Sequence, residues 1–295
     1  MSDTTASLSR KINSAADLQS VVRTMKAMAA SSIGQYEKSV RALSDYFRTV
    51  ELGLSVCFRK RDLPVQEIKR KGKIAERKIR AIVFGSDQGL VGQFNDVVAD
   101  YAIKTLAALP GKPQIWAVGE RVHERLAEAG LPLVGLFTVP NSVKAITPLV
   151  GQIQIESAES LTNDEAECLY VFHNRPQPSA SRYEPVLQRL LPLDEEWLES
   201  LVKLPWPTKV LPEVLGSHPK TLHSLIREYL FISLFRACAE SLASENASRL
   251  AAMERADKNI DELLVDLHGN FNRLRQSGID EELFDVIAGF EALTR

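Results

Sequence analysis

Residues 8–54 read LSRKINSAADLQSVVRTMKAMAASSIGQYEKSVRALSDYFRTVELGL, a stretch without proline. Apolar or small residues recur at Leu8, Ile12, Ala15, Leu18, Val22, Met25, Ala29, Ile33, Tyr36, Val40, Leu43, Phe47, Val50 and Leu54. The steps are threes and fours, with a mean of about 3.5 residues. That is the period of a left-handed coiled-coil seam, not the ~3.6 of a straight helix lying on a globular core. A seam of this length needs another long helix as its partner.

The other end of the chain supplies one. The last proline is Pro219, and Lys220 to Leu293 reads as helix throughout. At ~1.5 Å per residue such a helix reaches on the order of 110 Å. Its expected seam runs through Leu250, Met253, Ala256, Ile260, Leu263, Leu267, Phe271 and Leu274, slips phase near Gly278, and resumes at Ile279, Leu283, Val286, Phe290 and Leu293. Between Leu222 and Cys238 apolar residues fall on more than one face, as at Leu225, Ile226, Leu230, Phe231, Ile232, Leu234 and Phe235. That part of the helix is therefore expected to be enclosed, against a central domain and the N-terminal helix together. Charge favours the pairing: residues 1–80 carry about +9 and residues 220–295 about −4.

Between the helices lies the basic stretch Arg59 to Lys78, read as an exposed connection, and then an alternation of strand and helix signals. Strands are expected over Ile79–Phe84, Gln114–Val118, Leu133–Val139, Cys168–His173 and inside Tyr183–Leu191. Helices are expected over Asn95–Leu109, Arg121–Ala129 with Gly130 as the stop, and Val143–Ser160. The fold class is α/β: a long antiparallel coiled coil of the terminal helices with a central domain of mostly parallel strands. The expected division is an N-terminal coiled-coil helix (1–58), a basic connecting loop (59–78), a central α/β domain (79–219) and a C-terminal coiled-coil helix (220–295).

Composition narrows the function. A net charge of −2 argues against a dedicated nucleic-acid binder, and no stretch approaches the ~20 apolar residues of a membrane span, so membrane association is expected only through partners. The first residues, Met1 to Ser7, are polar and lack the apolar core of a secretory signal, and a cytosolic chain is expected. Cys57, Cys168 and Cys238 form no CxxC pair and read as buried or incidental thiols, with no redox switch.

The turn Gly85 to Asn95 (GSDQGLVGQFN) sits after a strand and before a helix, where phosphate-binding loops occur. It lacks the lysine that would reach a phosphate, and Asp87 would repel one. It reads as a structural turn whose glycines permit positive φ and close backbone approach. His123, His173, His218, His223 and His268 show no zinc spacing. The carboxylates Asp257, Asp261, Glu262, Asp266, Asp280 to Glu282 and Asp285 read as a solvated helix face, screened by Arg255 and Lys258. No nucleophile signature is present, and no catalytic, cofactor-binding or metal-binding residue is assigned.

Three segments in order resemble the gamma subunit of F-type ATP synthases. Leu8-Ser-Arg-Lys-Ile12 followed by Val21-Val-Arg-Thr-Met25-Lys-Ala-Met-Ala-Ala-Ser31 is similar to that family's N-terminal helix. Ser86-Asp-Gln-Gly-Leu-Val-Gly-Gln-Phe-Asn95 resembles its SDRGLCG-type turn. Ser244-Glu-Asn-Ala-Ser-Arg-Leu-Ala-Ala-Met253 and Phe271-Asn-Arg-Leu-Arg-Gln-Ser-Gly-Ile279, continuing to Glu282-Leu and Ile287-Ala-Gly289, resemble its C-terminal signature.

The resemblance implies a non-catalytic central-stalk rotor that couples ion flow through the membrane sector to rotary catalysis. It implies as partners the α and β subunits of the α3β3 ring, the epsilon subunit and the c-subunit ring, with no cofactor, at the cytoplasmic face of a bacterial plasma membrane. Met25, with Arg23 and Lys26 beside it, matches the position facing the C-terminal helix and the β-contact region. Arg275 and Gln276 match the pair that hydrogen-bonds the β catch loop, and Glu245 and Arg249 match polar contact positions. Asp87, Gly89 and Gly92 belong to the central-domain turn. Departures occur at Gln88 (arginine in the family), Val91 (cysteine), Asp280 (threonine) and at Phe290 with Glu291 (small residues). They imply a side branch, an alternate bacterial (N-type) enzyme. Two further readings stay open on the residues alone: a coiled-coil scaffold or adaptor, which would pair its seams between two chains, and an enzyme with Gly85–Asn95 as a phosphate cradle.

Overall fold

The computed structural model describes residues 4–59, 78–111, 113–158, 167–177, 183–210 and 212–293. The connecting loop expected over 59–78 lies, except for its end residues, outside them. In chain order the elements are α1 (Thr5–Arg59), β1 (Lys78–Phe84), α2 (Phe94–Ala107), β2 (Gln114–Val118), α3 (Glu120–Glu128), β3 (Leu133–Phe137), α4 (Val143–Ala158), β4 (Glu167–Pro176), β5 (Tyr183–Leu191), α5 (Glu195–Lys203) and α6 (His218–Leu293). Pro219 stands one residue inside the start of α6, where its missing N–H costs nothing. Two compact units form, residues 1–29 with 250–295, and residues 30–249.

Within residues 30–249 the sheet has the order β3-β2-β1-β4-β5. The first four strands run parallel and β5 runs antiparallel to β4. The period-2 alternation of β1 sorts the two faces. Ile79, Ala81 and Val83 join Val98, Ala102, Val122 and Leu126 from α2 and α3 on one side. Ile82 and Phe84 join α4, the second half of α1 and the first part of α6 on the other. The enclosure expected for α6 is realised, with Leu222, Leu230, Ile232, Leu234, Phe235 and Cys238 all buried.

The chain departs from its sequence reading at two elements of this unit. Strand β4 continues past His173 because Asn174, Arg175 and Pro176 pair with Pro185, Glu184 and Tyr183. Helix α5 forms between β5 and α6, where no helix is expected from the sequence. Asp194 caps it, accepting from the Trp197 amide at 3.1 Å, with Glu195 and Glu196 in its first turn. At its other end Arg59 donates to the carbonyls of Val202 and Leu204, the pairing a helix C-terminus favours.

Helix α6 does more than lie on an apolar face. Glu240 enters the interface 6% exposed, and a buried carboxylate needs partners. Arg236 donates to Oε1 at 2.7 Å, Arg175 to Oε2 at 3.0 Å, and His173 Nε2 lies 2.9 Å from Oε2. Burial pushes the Glu240 carboxyl up, but His173 and Arg236 together outweigh it and bring it down to about 2. Burial pushes His173 below its ordinary value, against the pull of Glu240.

Two predictions follow from this packing. A β-carbon on Gly85 would lie 2.4 Å from Cβ of Val122, so β1 and α3 meet at a distance only glycine allows. Gly85→Ala is expected to lower the domain's stability by about 1–3 kcal/mol, read as an earlier urea midpoint; an unchanged midpoint would contradict the close contact.

The second concerns acid. Glu240 ionises below the ordinary 4.5 in the fold, so its contribution is full above about 4.5 and lost as pH falls toward about 2, roughly 3 kcal/mol in all. His173, also depressed, adds a loss that begins as pH falls below 6.5. Glu245, raised by burial, works the other way and recovers some stability as pH falls toward 4.5. Urea midpoints read by the fluorescence of Trp116, Trp197 and Trp206 should therefore fall in acid. Glu240→Gln should be less stable at neutral pH and flatter below pH 4.5; parallel curves for the two proteins would contradict this account.

Candidate functional site

In the first unit α1 and α6 run antiparallel: Lys26 reaches Asp257, while Gln19, earlier in α1, reaches Asp261. The apolar layers are Ala15 and Val22 against Met253 and Ile260, with Met25, Ala256, Leu264 and Leu267 packed beside them. Here the sequence reading needs two corrections. Leu18 is 54% exposed and Leu263 is 50% exposed; Gln19 (9%) and Leu264 take their places in the seam. The seam repeats as strict heptads, at 8, 15, 22 and 29 and at 253, 260 and 267, and its second position falls four residues after the first. That register puts Gln19 and Asp257 inside.

Gln19 Nε2 donates to Asp257 Oδ1 at 3.3 Å and to Asp261 Oδ1 at 2.5 Å. Arg23 Nε donates to Asp257 at 3.1 Å and its Nη2 lies 3.5 Å from Asp261, while Lys26 Nζ lies 3.9 Å from Asp257. Of the carboxylates read as a solvated face, Asp257, with its side chain 17% exposed, turns into the seam; Asp261 stays 58% exposed while reaching Gln19, and Glu262 pairs with Lys258. Arg23 is 58% exposed, so its ion pairs add little energy. A polar layer in an apolar seam chiefly fixes register.

Farther along α6 the surface changes character. Arg275 and Gln276 are exposed and make no intrachain bond among the described residues. Beyond them Ile279, Leu283, Phe284, Val286 and Ile287 are between 46% and 69% exposed. Five large apolar side chains on one solvent-facing helix end need a cover. Asp280 is exposed among them, and the side chains of Phe290 and Glu291 lie outside the described residues.

In residues 30–249 the second candidate is the turn after β1. The switch point of this sheet lies between β1 and β4, where doubly wound folds bind ligands beyond the strand ends. Asp87 holds the turn in place: Oδ1 accepts from the Glu120 amide at 3.1 Å and Oδ2 from the Val139 amide at 2.9 Å. Asn95 accepts from the Ser86 amide and donates to its hydroxyl. The Asp87 carboxylate thus ties the turn to the start of α3 and to the segment after β3, and it places a negative charge where a phosphate would have to sit. The crevice itself is filled by α6, whose Ser244 and Ser248 donate to the carbonyls of Asn174 and Val91. The phosphate-cradle reading fails on this geometry.

The turn also corrects the reading of its glycines. Gly92 has a φ of 56°, but the other left-handed residue is Leu90, with φ 62°, and not Gly89. Glu245 and Arg249 pair at 2.7 Å on α6, with side chains 7% and 13% exposed. Burial raises the Glu245 carboxyl, Arg249 opposes this and Asp87 adds to it, so the turn and α6 face each other here. What the sequence reading missed was the Glu240 network. Its signal was present: a charge two residues past the multiply apolar stretch Leu222 to Cys238, on the same helix, must have partners if it too is enclosed.

All three cysteines are free and buried. Among the described residues no cluster of His, Cys, Asp and Glu is arranged to hold a metal ion, and no helix is long and apolar enough to cross a membrane.

The ATP synthase family model matches residues 4–293. The ATP synthase gamma chain of Nautilia profundicola is 25% identical, covering 98% of both chains. That of Syntrophobacter fumaroxidans is 31% identical over 74% of each. Among solved structures, a chain from the Euglena gracilis mitochondrial ATP synthase (OSCP/F1/c-ring, rotational state 3) superposes with a TM-score of 0.65 over 98% of this chain and 94% of its own, at 18% identity, a likeness of fold. With its seam, its central sheet and its sealed switch point, the chain belongs to the ATP synthase gamma-chain family, the non-catalytic subunits of the central stalk.

Proposed function

We infer that this gamma-family chain is the rotor of an F-type ATP synthase, coupling ion flow through the membrane sector to rotary catalysis in an α3β3 ring. In this reading the helices of residues 1–58 and 220–295 form the shaft, 59–78 a connecting loop, and 79–219 the foot that meets the epsilon subunit and the c-subunit ring. The chain is a peripheral component at the cytoplasmic face of a bacterial plasma membrane, attached through those partners, and its departures from the family pattern fit an alternate (N-type) enzyme.

The observation that supports this best is the end of α6, where Arg275 and Gln276 stand exposed beside a run of uncovered apolar residues. A ring of subunits is a cover of the right kind. An asymmetric shaft contacts each β subunit differently, and only such differential contact energy can set three β sites in three states. Arg275 and Gln276 donate to the β catch loop. Met25, Arg23, Lys26, Glu245 and Arg249 contribute contacts or hold the helix that makes them, and Asp87, Gly89 and Gly92 shape the turn of the foot.

The test is co-expression of the tagged chain with its neighbouring genes, followed by mass spectrometry of the intact complex. A 3:3:1 assembly with two ATPase-like subunits is expected, with ATP hydrolysis and ion pumping uncoupled by Arg275→Ala plus Gln276→Ala. A homodimer without ATPase partners would overturn the reading in favour of a scaffold.

A further inference from the structure

On α6, Arg236, Glu240, Ser244 and Ser248 stand four residues apart, and each makes a polar contact. Glu240 accepts from Arg236 and Arg175 and meets His173. Ser244 donates to the Asn174 carbonyl at 3.0 Å and Ser248 to the Val91 carbonyl at 2.5 Å. All of these residues lie within the unit of residues 30–249. Ser244 is fully buried, Ser248 is 8% exposed and Glu240 is 6% exposed.

We propose that this row is a torque key: it fixes the rotational setting of α6 on the sheet, so that shaft and foot turn together. The proposal rests on the rotor reading. Its physical ground is the difference between apolar and polar contacts. Ile232, Leu234 and Phe235 hold α6 against the domain, but apolar attraction is non-directional. It resists separation far better than rotation of a helix about its own axis. The row is directional. A slip of one residue turns the helix face by about 100°, which carries Glu240, Ser244 and Ser248 away from their partners on β4 and in the turn at once. Glu240 would then lose His173 and Arg175 and keep only Arg236 of its own helix.

The acceptors are fixed as well. The Asn174 carbonyl belongs to β4, where Asn174 pairs with Pro185 of β5. The Val91 carbonyl lies in the turn between Leu90 and Gly92, with φ values of 62° and 56°, and is held by the Phe94 amide at 3.2 Å.

The experiment uses the assembled F-type complex containing this chain, in inverted membrane vesicles. Glu240→Gln, the pair Ser244→Ala with Ser248→Ala, and the three combined are compared with Ile232→Ala, which weakens the same interface without touching the row. Both ATP hydrolysis and uptake of H⁺ or Na⁺ are measured, and the readout is ions pumped per ATP. The combined variant is expected to keep hydrolysing while its ratio falls several-fold, and Ile232→Ala to lose thermal stability with the parental ratio. A parental ratio in the combined variant overturns the key, and so does an equal fall in Ile232→Ala, since that would reduce the effect to general destabilisation. If the combined variant fails to assemble, the serine pair and Glu240→Gln alone are read by the same criterion. A parent chain that joins no ATP-hydrolysing complex overturns the rotor reading and the key with it, which separates the two failures.

Discussion

A carboxylate inside a packed helix–sheet interface is a liability unless it is met by donors on several sides, and Glu240 is met by three cationic or titratable groups. The rest of the central domain is arranged around that requirement. His173 and Arg175 come from β4, which must therefore run to Pro176, and β5 must pair with that extension to keep its backbone satisfied. Helix α6 must cross the end of β4 with Ser244 and Ser248 facing the switch point, and the turn after β1 must offer a carbonyl there. Because the helix fills this crevice, the switch point of the sheet is closed by the chain's own side chains.

The same economy governs the pair formed by the chain's two ends. Gln19, Asp257 and Asp261 interrupt an apolar seam with a polar layer. The ion pairs around it are too exposed to add much stability. Register is what they supply, since Gln19 finds its two carboxylates in only one alignment of antiparallel helices. Both polar devices thus act on geometry more than on energy, which is what a mechanical part requires.

Much of this was legible in the sequence. The period of about 3.5 residues over Leu8 to Leu54 announced a long helix with a helical partner, and the alternating strands and helices announced a mostly parallel sheet. The details that escaped have physical reasons. Apolar counting favoured Leu18 over Gln19 and Leu263 over Leu264, because it cannot see that a glutamine becomes a good seam residue once two aspartates stand opposite. Helix α5 hid among prolines although Asp194 and the glutamates after it are ordinary start signals. Asp87 was read only as a charge that repels phosphate; its tie to the amides of Glu120 and Val139 escaped because they arrive from distant parts of the chain. The candidate contact residues Arg275 and Gln276 came from resemblance alone, since a lone helix carries no local sign of what will cover it.

The central claim is that the chain turns as a shaft. The direct measurement is single-molecule imaging of a bead or fluorophore attached to the central domain, with the α3β3 ring carrying this chain fixed to a surface and supplied with ATP. The account predicts rotation in one direction with three-fold pauses, stopping when ATP is removed. Steady ATP hydrolysis with a label that stays still, or turns without preferred direction, would contradict it.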